Sequence, residues 1–165
     1  MVSWISHGRE SVSEDTQKST PDVTKEAFKD KKVLIVEDAI ELAEVIQATL
    51  ERMGFKVFHE THGMKALELF KNNRPDVVLL DIGLPDMIGW KVLDAIREVD
   101  KDNRPYVVVI TAYGDPANRL TGKLQDVDSY LIKPFMPDKV EQVIGKLFGV
   151  EDSKDGSSAE STTAN

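Results

Sequence analysis

The sequence predicts an α/β fold, a doubly wound parallel sheet built from five strand–helix units, and three observations carry that reading. Short apolar runs alternate with segments of helical period over residues 31–150. Two of the runs, 77–80 (VVLL) and 106–110 (YVVVI), are unbroken, as strands covered on both faces require. Four runs stop at charged or hydroxyl side chains: Glu37-Asp38, Asp81, Thr111 and Lys133. Strict succession of strands and helices implies right-handed crossovers, with helices on both faces. All four stops then lie on the carboxyl edge of the sheet, where open α/β folds bind their ligands.

Residues 1–30 are mostly Ser, Thr, Glu, Lys and Asp without an apolar period, and are expected to be a disordered leader. Residues 31–150 form the one expected domain, and 151–165 an acidic, Ser/Thr-rich disordered tail. The first strand is 32–36 (KVLIV), ending at Glu37-Asp38. Ala39, Leu42, Ala43, Ile46, Leu50 and Met53 then recur at helical spacing, and Gly54 is placed to end that helix. Residues 56–59 are a second strand, and 64–71 a helix with Ala66, Leu67 and Phe70 inward. After the strand ending at Asp81 comes a loop with the turn residues Gly83 and Pro85, then a helix over 90–99 with Val92, Leu93 and Ile96 inward. Residues 106–110 are the fourth strand. Asp115-Pro116 reads as a helix start, with Asp as N-cap and Pro at the first position. That helix, 116–125, is intrinsically weak because of Asn118, Thr121 and Gly122. A fifth strand over 129–132 stops at Lys133-Pro134, and a helix over 137–148 turns Val140, Val143, Ile144 and Leu147 inward.

The chain has 165 residues, 41% hydrophobic and 30% charged, an ordinary balance for a single soluble domain. Its net charge of −8 and lack of a basic stripe argue against nucleic-acid binding, where phosphate contacts dominate affinity. No run approaches the roughly 20 apolar residues of a membrane span. The opening MVSWISHGRE lacks the basic lead and apolar stretch of a signal peptide. With no cysteine there are no disulfides, thiolate metal sites or cysteine catalysis, and a cytoplasmic setting is the expectation. Fifteen residues follow position 150, and a DNA-binding domain is not expected there.

Taken singly, the strand-end residues are weak signals. A lone Asp or Thr there is most simply a cap, and a lone Lys a surface charge. Together they define a chemistry. Three carboxylates at one edge repel one another and need a cation. Oxygen ligands without His or Cys suit Mg²⁺. Lys133 offers a point charge for a phosphoryl oxygen, and the Thr111 hydroxyl can donate to another. An Asp beside Mg²⁺ and a Lys is equipped to attack phosphorus and carry an acyl phosphate.

On the segments KKVLIVEDAI, DVVLLDIGLPDMIGW, VVVITAY and SYLIKPF, residues 31–150 resemble the receiver domain of bacterial two-component response regulators. The resemblance implies a flavodoxin-like (βα)5 fold with strand order 2-1-3-4-5. It makes Asp81 the phosphoacceptor, with Mg²⁺ held by Glu37, Asp38, Asp81 and the backbone carbonyl of Gly83. Thr111 and Lys133 would bind the phosphoryl group, and Tyr130 would be the aromatic that switches with Thr111. Lys133-Pro134 resembles the family's cis peptide. Gly83 and Tyr113, two beyond the acceptor and two beyond the Thr, would tune the lifetime of the phosphoryl group.

The implied donor is a sensor histidine kinase or a histidine phosphotransfer protein. The implied target is a downstream protein on the face made by 116–125, 129–132 and the last helix. The chain itself would bind neither DNA nor a membrane, and would be a monomer or a weak, phosphorylation-linked dimer. It would not be an enzyme beyond catalysing its own Mg²⁺-dependent phosphorylation and dephosphorylation. A stand-alone regulator is the leading reading; the alternatives are a phosphorelay intermediate or a receiver fragment of a hybrid kinase or larger regulator. Two features depart from the family pattern: Asp126-Val127 replace a common Gly-Ala, and the acceptor loop reads Leu-Pro-Asp-Met-Ile-Gly. Neither removes a reacting group. An Asp-dependent phosphatase of the haloacid-dehalogenase type needs a second acid two residues after Asp81, where Gly83 stands. An FMN-binding flavodoxin-like protein needs a Ser/Thr/Gly-rich phosphate loop after the first strand, where Glu37-Asp38-Ala39 would repel the phosphate.

Overall fold

The computed structural model describes residues 23–99, 103–112 and 127–150. Its strands are β1 (Lys32–Val36), β2 (Lys56–Glu60), β3 (Val77–Asp81), β4 (Tyr106–Thr111) and β5 (Ser129–Ile132). All neighbouring strands pair in parallel, in the order β2-β1-β3-β4-β5. The described helices are α1 (Val23–Phe28), α2 (Ile40–Met53), α3 (Gly63–Asn73), α4 (Gly89–Val99) and α5 (Pro137–Leu147).

Successive side chains of a strand point to opposite faces, and here both faces are covered. Val33, Ile35, Val77, Leu79, Val108, Ile110 and Leu131 pack on one side with Ala43, Ile46 and Leu50 of α2 and Val140 and Ile144 of α5. Leu34, Val36, Val78, Leu80, Val107 and Val109 pack on the other with Ala66 and Phe70 of α3 and Val92, Leu93 and Ile96 of α4. This double coverage is why the β3 and β4 runs are unbroken rather than alternating. Gly54 ends α2 at φ 109°, a left-handed conformation, and its amide bonds the Glu51 carbonyl. A Cβ there would also come within 2.7 Å of the Lys25 carbonyl oxygen, so the position demands glycine twice over.

That contact exposes a difference from the sequence reading. The leader expected over 1–30 is helical from Val23 to Phe28, and Phe28 is fully buried. Its ring stacks on Phe55 at 4.4 Å and meets the edge of Phe148 at 5.4 Å; Phe148 in turn packs on Tyr106 at 5.3 Å. The packed unit therefore includes residues that precede position 31. One aromatic in a polar segment has no period to reveal it, yet burying it contributes about 1.5–3 kcal/mol toward ordering a short helix. Smaller differences are a β2 one residue longer and an α3 that starts at Gly63 and runs to Asn73. The expected helix over 116–125, Tyr113, residues 1–22 and the tail 151–165 lie outside the described residues.

Candidate functional site

β3 lies between β1 and β4, so Asp81 at its carboxyl end sits in the middle of the sheet edge. Glu37 and Asp38 follow directly on β1. Carboxylate oxygens of Glu37, Asp38 and Asp81 lie within 4.8 Å of one another. Glu37 is fully buried, Asp81 nearly so, and Asp38 is exposed.

Lys133, just past β5, reaches across β4 to this cluster. Its Nζ donates to Asp81 Oδ2 at 2.8 Å and to Glu37 Oε1 at 3.0 Å. The same nitrogen is 2.8 Å from Glu37 Oε2, but not in hydrogen-bonding geometry; Oε2 is buried without a hydrogen-bond partner. The Lys133 amide donates to the Thr111 carbonyl at 2.8 Å, and the Lys133-Pro134 peptide is cis. The backbone fixes the acids as well. Ala39 N donates to Glu37 Oε1 at 3.2 Å, and Gly83 N to Asp81 Oδ1 at 2.8 Å. Nε2 of His59 in β2 lies 2.9 Å from the Glu37 carbonyl oxygen, which can only accept, so Nε2 carries the proton.

Burial pushes the Glu37 carboxyl above its ordinary value; the Lys133 hydrogen bond opposes this and the Asp81 charge adds to it. Burial pulls Lys133 down, but the hydrogen bonds and charges of Asp81 and Glu37 outweigh it, and its value is raised. With all three acids ionised, one ammonium leaves two negative charges uncompensated. Burying such charge is costly unless it is paired. The donor set is oxygen alone, and Glu37 Oε2 has no hydrogen-bond partner. A hard divalent cation such as Mg²⁺ fits both facts.

Thr111, at the end of β4, is buried. Val109 pairs with Tyr130, and Thr111 is two residues further along β4, so Thr111 and Tyr130 share the face covered by α3 and α4. Tyr130 is half-buried. Gly83 is exposed and bridged to Ile88 across the loop that follows β3. Tyr113, the other expected tuning residue, lies outside the described residues. Two side chains at this edge went unnoticed in the sequence reading: His59, on the Glu37 carbonyl, and Asp86, which bonds the first amides of α3. His59 carries no signal in a half-covered edge strand. His62 is a poor cap for the helix that follows it, but nothing local points to Asp86 as the substitute.

A sheet of this order with its acids gathered at the carboxyl edge is the CheY-like, flavodoxin-like class of α/β fold. Within that class the chain belongs to the response regulator receiver domain family, whose model matches residues 33–145. It is 39% identical over 111 residues to the probable transcriptional regulator ycf27 of Guillardia theta, covering 67% of this chain and 42% of that protein. It is 33% identical over 119 residues to the chemotaxis protein CheY of Thermotoga maritima, covering 71% of this chain and 97% of that one. It is similar in structure to the receiver domain of the sensor histidine kinase PA1611 from Pseudomonas aeruginosa, at TM-score 0.65 and 26% identity over 72% of this chain and 98% of that domain; that crystal structure has a magnesium ion coordinated in its active site cleft. The chain spans less than half the length of the transcriptional regulators it matches. Among the described residues, no helix is long and apolar enough to cross a membrane.

Proposed function

We propose that Asp81 accepts a phosphoryl group from a sensor histidine kinase or a histidine phosphotransfer protein, and that the acyl phosphate alters binding of a downstream protein. One observation carries this reading: Lys133 Nζ bridges Asp81 and Glu37 beside a buried Glu37 oxygen that has no hydrogen-bond partner. Glu37, Asp38, Asp81 and the Gly83 carbonyl would hold Mg²⁺, which supplies charge stabilisation for the phosphoryl oxygens when bound. An Asp81 carboxylate oxygen attacks phosphorus, the bond from phosphorus to the donor imidazole nitrogen breaks, and that nitrogen takes up a proton. Lys133 and the Thr111 hydroxyl then hold phosphoryl oxygens. Thr111 and Tyr130 share one sheet face, which gives a route from the phosphoryl group to the surface around β5, where Ile132 is 40% exposed. That surface is the proposed target-binding face.

Incubation with Mg²⁺ and acetyl phosphate should attach one phosphoryl group per chain, and Asp81→Asn should abolish it because an amide is a poor nucleophile. Labelling that persists in Asp81→Asn, or proceeds equally in EDTA, would sink the assignment.

A further inference from the structure

The loop between β3 and α4 is fastened at three places. Gly83 and Ile88 form an antiparallel bridge, and Gly89 N donates to the Ile82 carbonyl at 2.9 Å. The third fastening leaves the loop altogether. Asp86 Oδ1 accepts from Gly63 N at 2.8 Å, and Oδ2 from Met64 N at 3.1 Å. These are the first two amides of α3, which have no partner within the helix. The residue that precedes a helix usually offers a side-chain oxygen to one of the early amides, at its second or third position. Here that residue is His62, which makes no such bond, and the acceptor comes from a loop 23 residues further on. Met87 lies against the same turn: a Cβ at position 63 would come within 2.7 Å of Met87 Cγ and 2.8 Å of its Sδ, so a larger residue there would push the Met87 side chain aside. The Gly63 and Met64 amides hold the Asp86 carboxyl below its ordinary range.

We propose that Asp86 is a positioning residue for the metal site: it anchors the loop over 82–88 to α3 and thereby fixes Gly83. Gly83 stands between the two events that matter. Its amide holds Asp81 Oδ1, and its carbonyl is the proposed fourth metal ligand. The inference rests on the receiver reading above. Without the Asp86 carboxylate the loop keeps its internal fastenings but loses its anchor on the helix, and Gly83, three residues away, is less well preorganised. Residues behind a metal ligand set affinity by fixing that ligand's orientation. Asp86 acts that way and supplies no charge to the ion, because both of its oxygens are committed to amides.

The test uses the whole chain and Mn²⁺, whose free-ion electron paramagnetic resonance signal disappears on binding. In Asp86→Ala the Kd for Mn²⁺ should rise about tenfold. Asp86→Asn keeps one carbonyl oxygen and should rise less. Saturating Mn²⁺ should restore acetyl phosphate labelling of Asp86→Ala to the wild-type rate, since every reacting group is present. Phe28→Leu, which perturbs packing among the Phe28, Phe55 and Phe148 rings, should leave the Kd unchanged, separating positioning from general destabilisation. Wild-type affinity in Asp86→Ala overturns the proposal, as does an equal loss in Phe28→Leu. Failure of the wild-type chain to bind Mn²⁺ at all overturns the receiver reading itself.

Discussion

Lys133 and Asp81 meet at 2.8 Å, Nζ to Oδ2, although 52 residues separate them in the chain and β4 runs between their strands. A parallel sheet makes this meeting possible, because every strand delivers its last residue to the same edge. The pair is partly desolvated: side-chain exposure is 24% for Lys133 and 9% for Asp81. Glu37 makes it a triad in which one ammonium serves two carboxylates.

Lys133→Ala therefore leaves two crowded carboxylates without their cation. Removing one partner of a buried pair costs roughly 3–5 kcal/mol, and the partial exposure of Lys133 places this variant at the low end. Urea denaturation in EDTA measures it. The double variant Lys133→Ala, Asp81→Asn should recover part of the loss. No recovery would show that Asp81 and Glu37 do not repel as the geometry requires.

Asp38 behaves in the opposite way. It is exposed and lies within the acid cluster, so in metal-free protein its charge is mainly repulsive. Asp38→Asn should raise the melting temperature in EDTA by about 1–4 °C, a fraction of a kcal/mol in a domain of this size. The gain should disappear in Mg²⁺, which makes the charge useful. A lower melting temperature for Asp38→Asn in EDTA would contradict the clustering.

Phe28 tests where the folded unit begins. Phe28→Ala empties a fully buried ring site between Phe55 and Phe148, and should cost about 3–5 kcal/mol. A chain beginning at residue 31 should be destabilised at least as much. Equal stability of the shortened and full chains by denaturant titration would show that α1 is not part of the unit.

The lifetime of the acyl phosphate is the fourth expectation. Hydrolysis needs a water in line behind phosphorus, and the resemblance to receiver domains implies that positions 83 and 113 flank its approach. Gly83 has no polar group to hold a water, and Tyr113 is bulky, so slow self-dephosphorylation is expected. There is room for a side chain at 83, where an added Cβ would meet nothing nearer than Asp81 Oδ1 at 3.7 Å. Gly83→Asn with Tyr113→Glu should shorten the lifetime about tenfold, read from the decay of labelled protein. Decay of the wild type as fast as the double variant would show that these positions do not control water.

Most of the fold was legible because the local signals agreed with one another. The unbroken runs at 77–80 and 106–110 suit doubly covered strands, as found, and Gly54 was placed to end α2, as it does in a left-handed conformation. The resemblance supplied the strand order. What escaped was long-range. Phe28 finds its partners at positions 55 and 148, and nothing in VTKEAF announces them. Asp86 caps a helix that began 23 residues earlier, a service read only when both loops are seen side by side. His59 acts through a backbone carbonyl, which leaves no mark on the sequence. Glu37-Asp38, Asp81, Thr111 and Lys133 stood out because they fall at strand ends, whereas His59 and Asp86 make contacts that no local pattern marks.

The central claim, that Asp81 itself carries the phosphoryl group, is tested most directly by trapping the acyl phosphate. Borohydride reduces an aspartyl phosphate to homoserine, and peptide mass spectrometry locates the altered residue. After treatment with acetyl phosphate and Mg²⁺, homoserine should appear at position 81 and nowhere else, and should be absent when Mg²⁺ is withheld. Homoserine at Asp38 or Asp86, or none at position 81 in protein that has taken up phosphate, would contradict it.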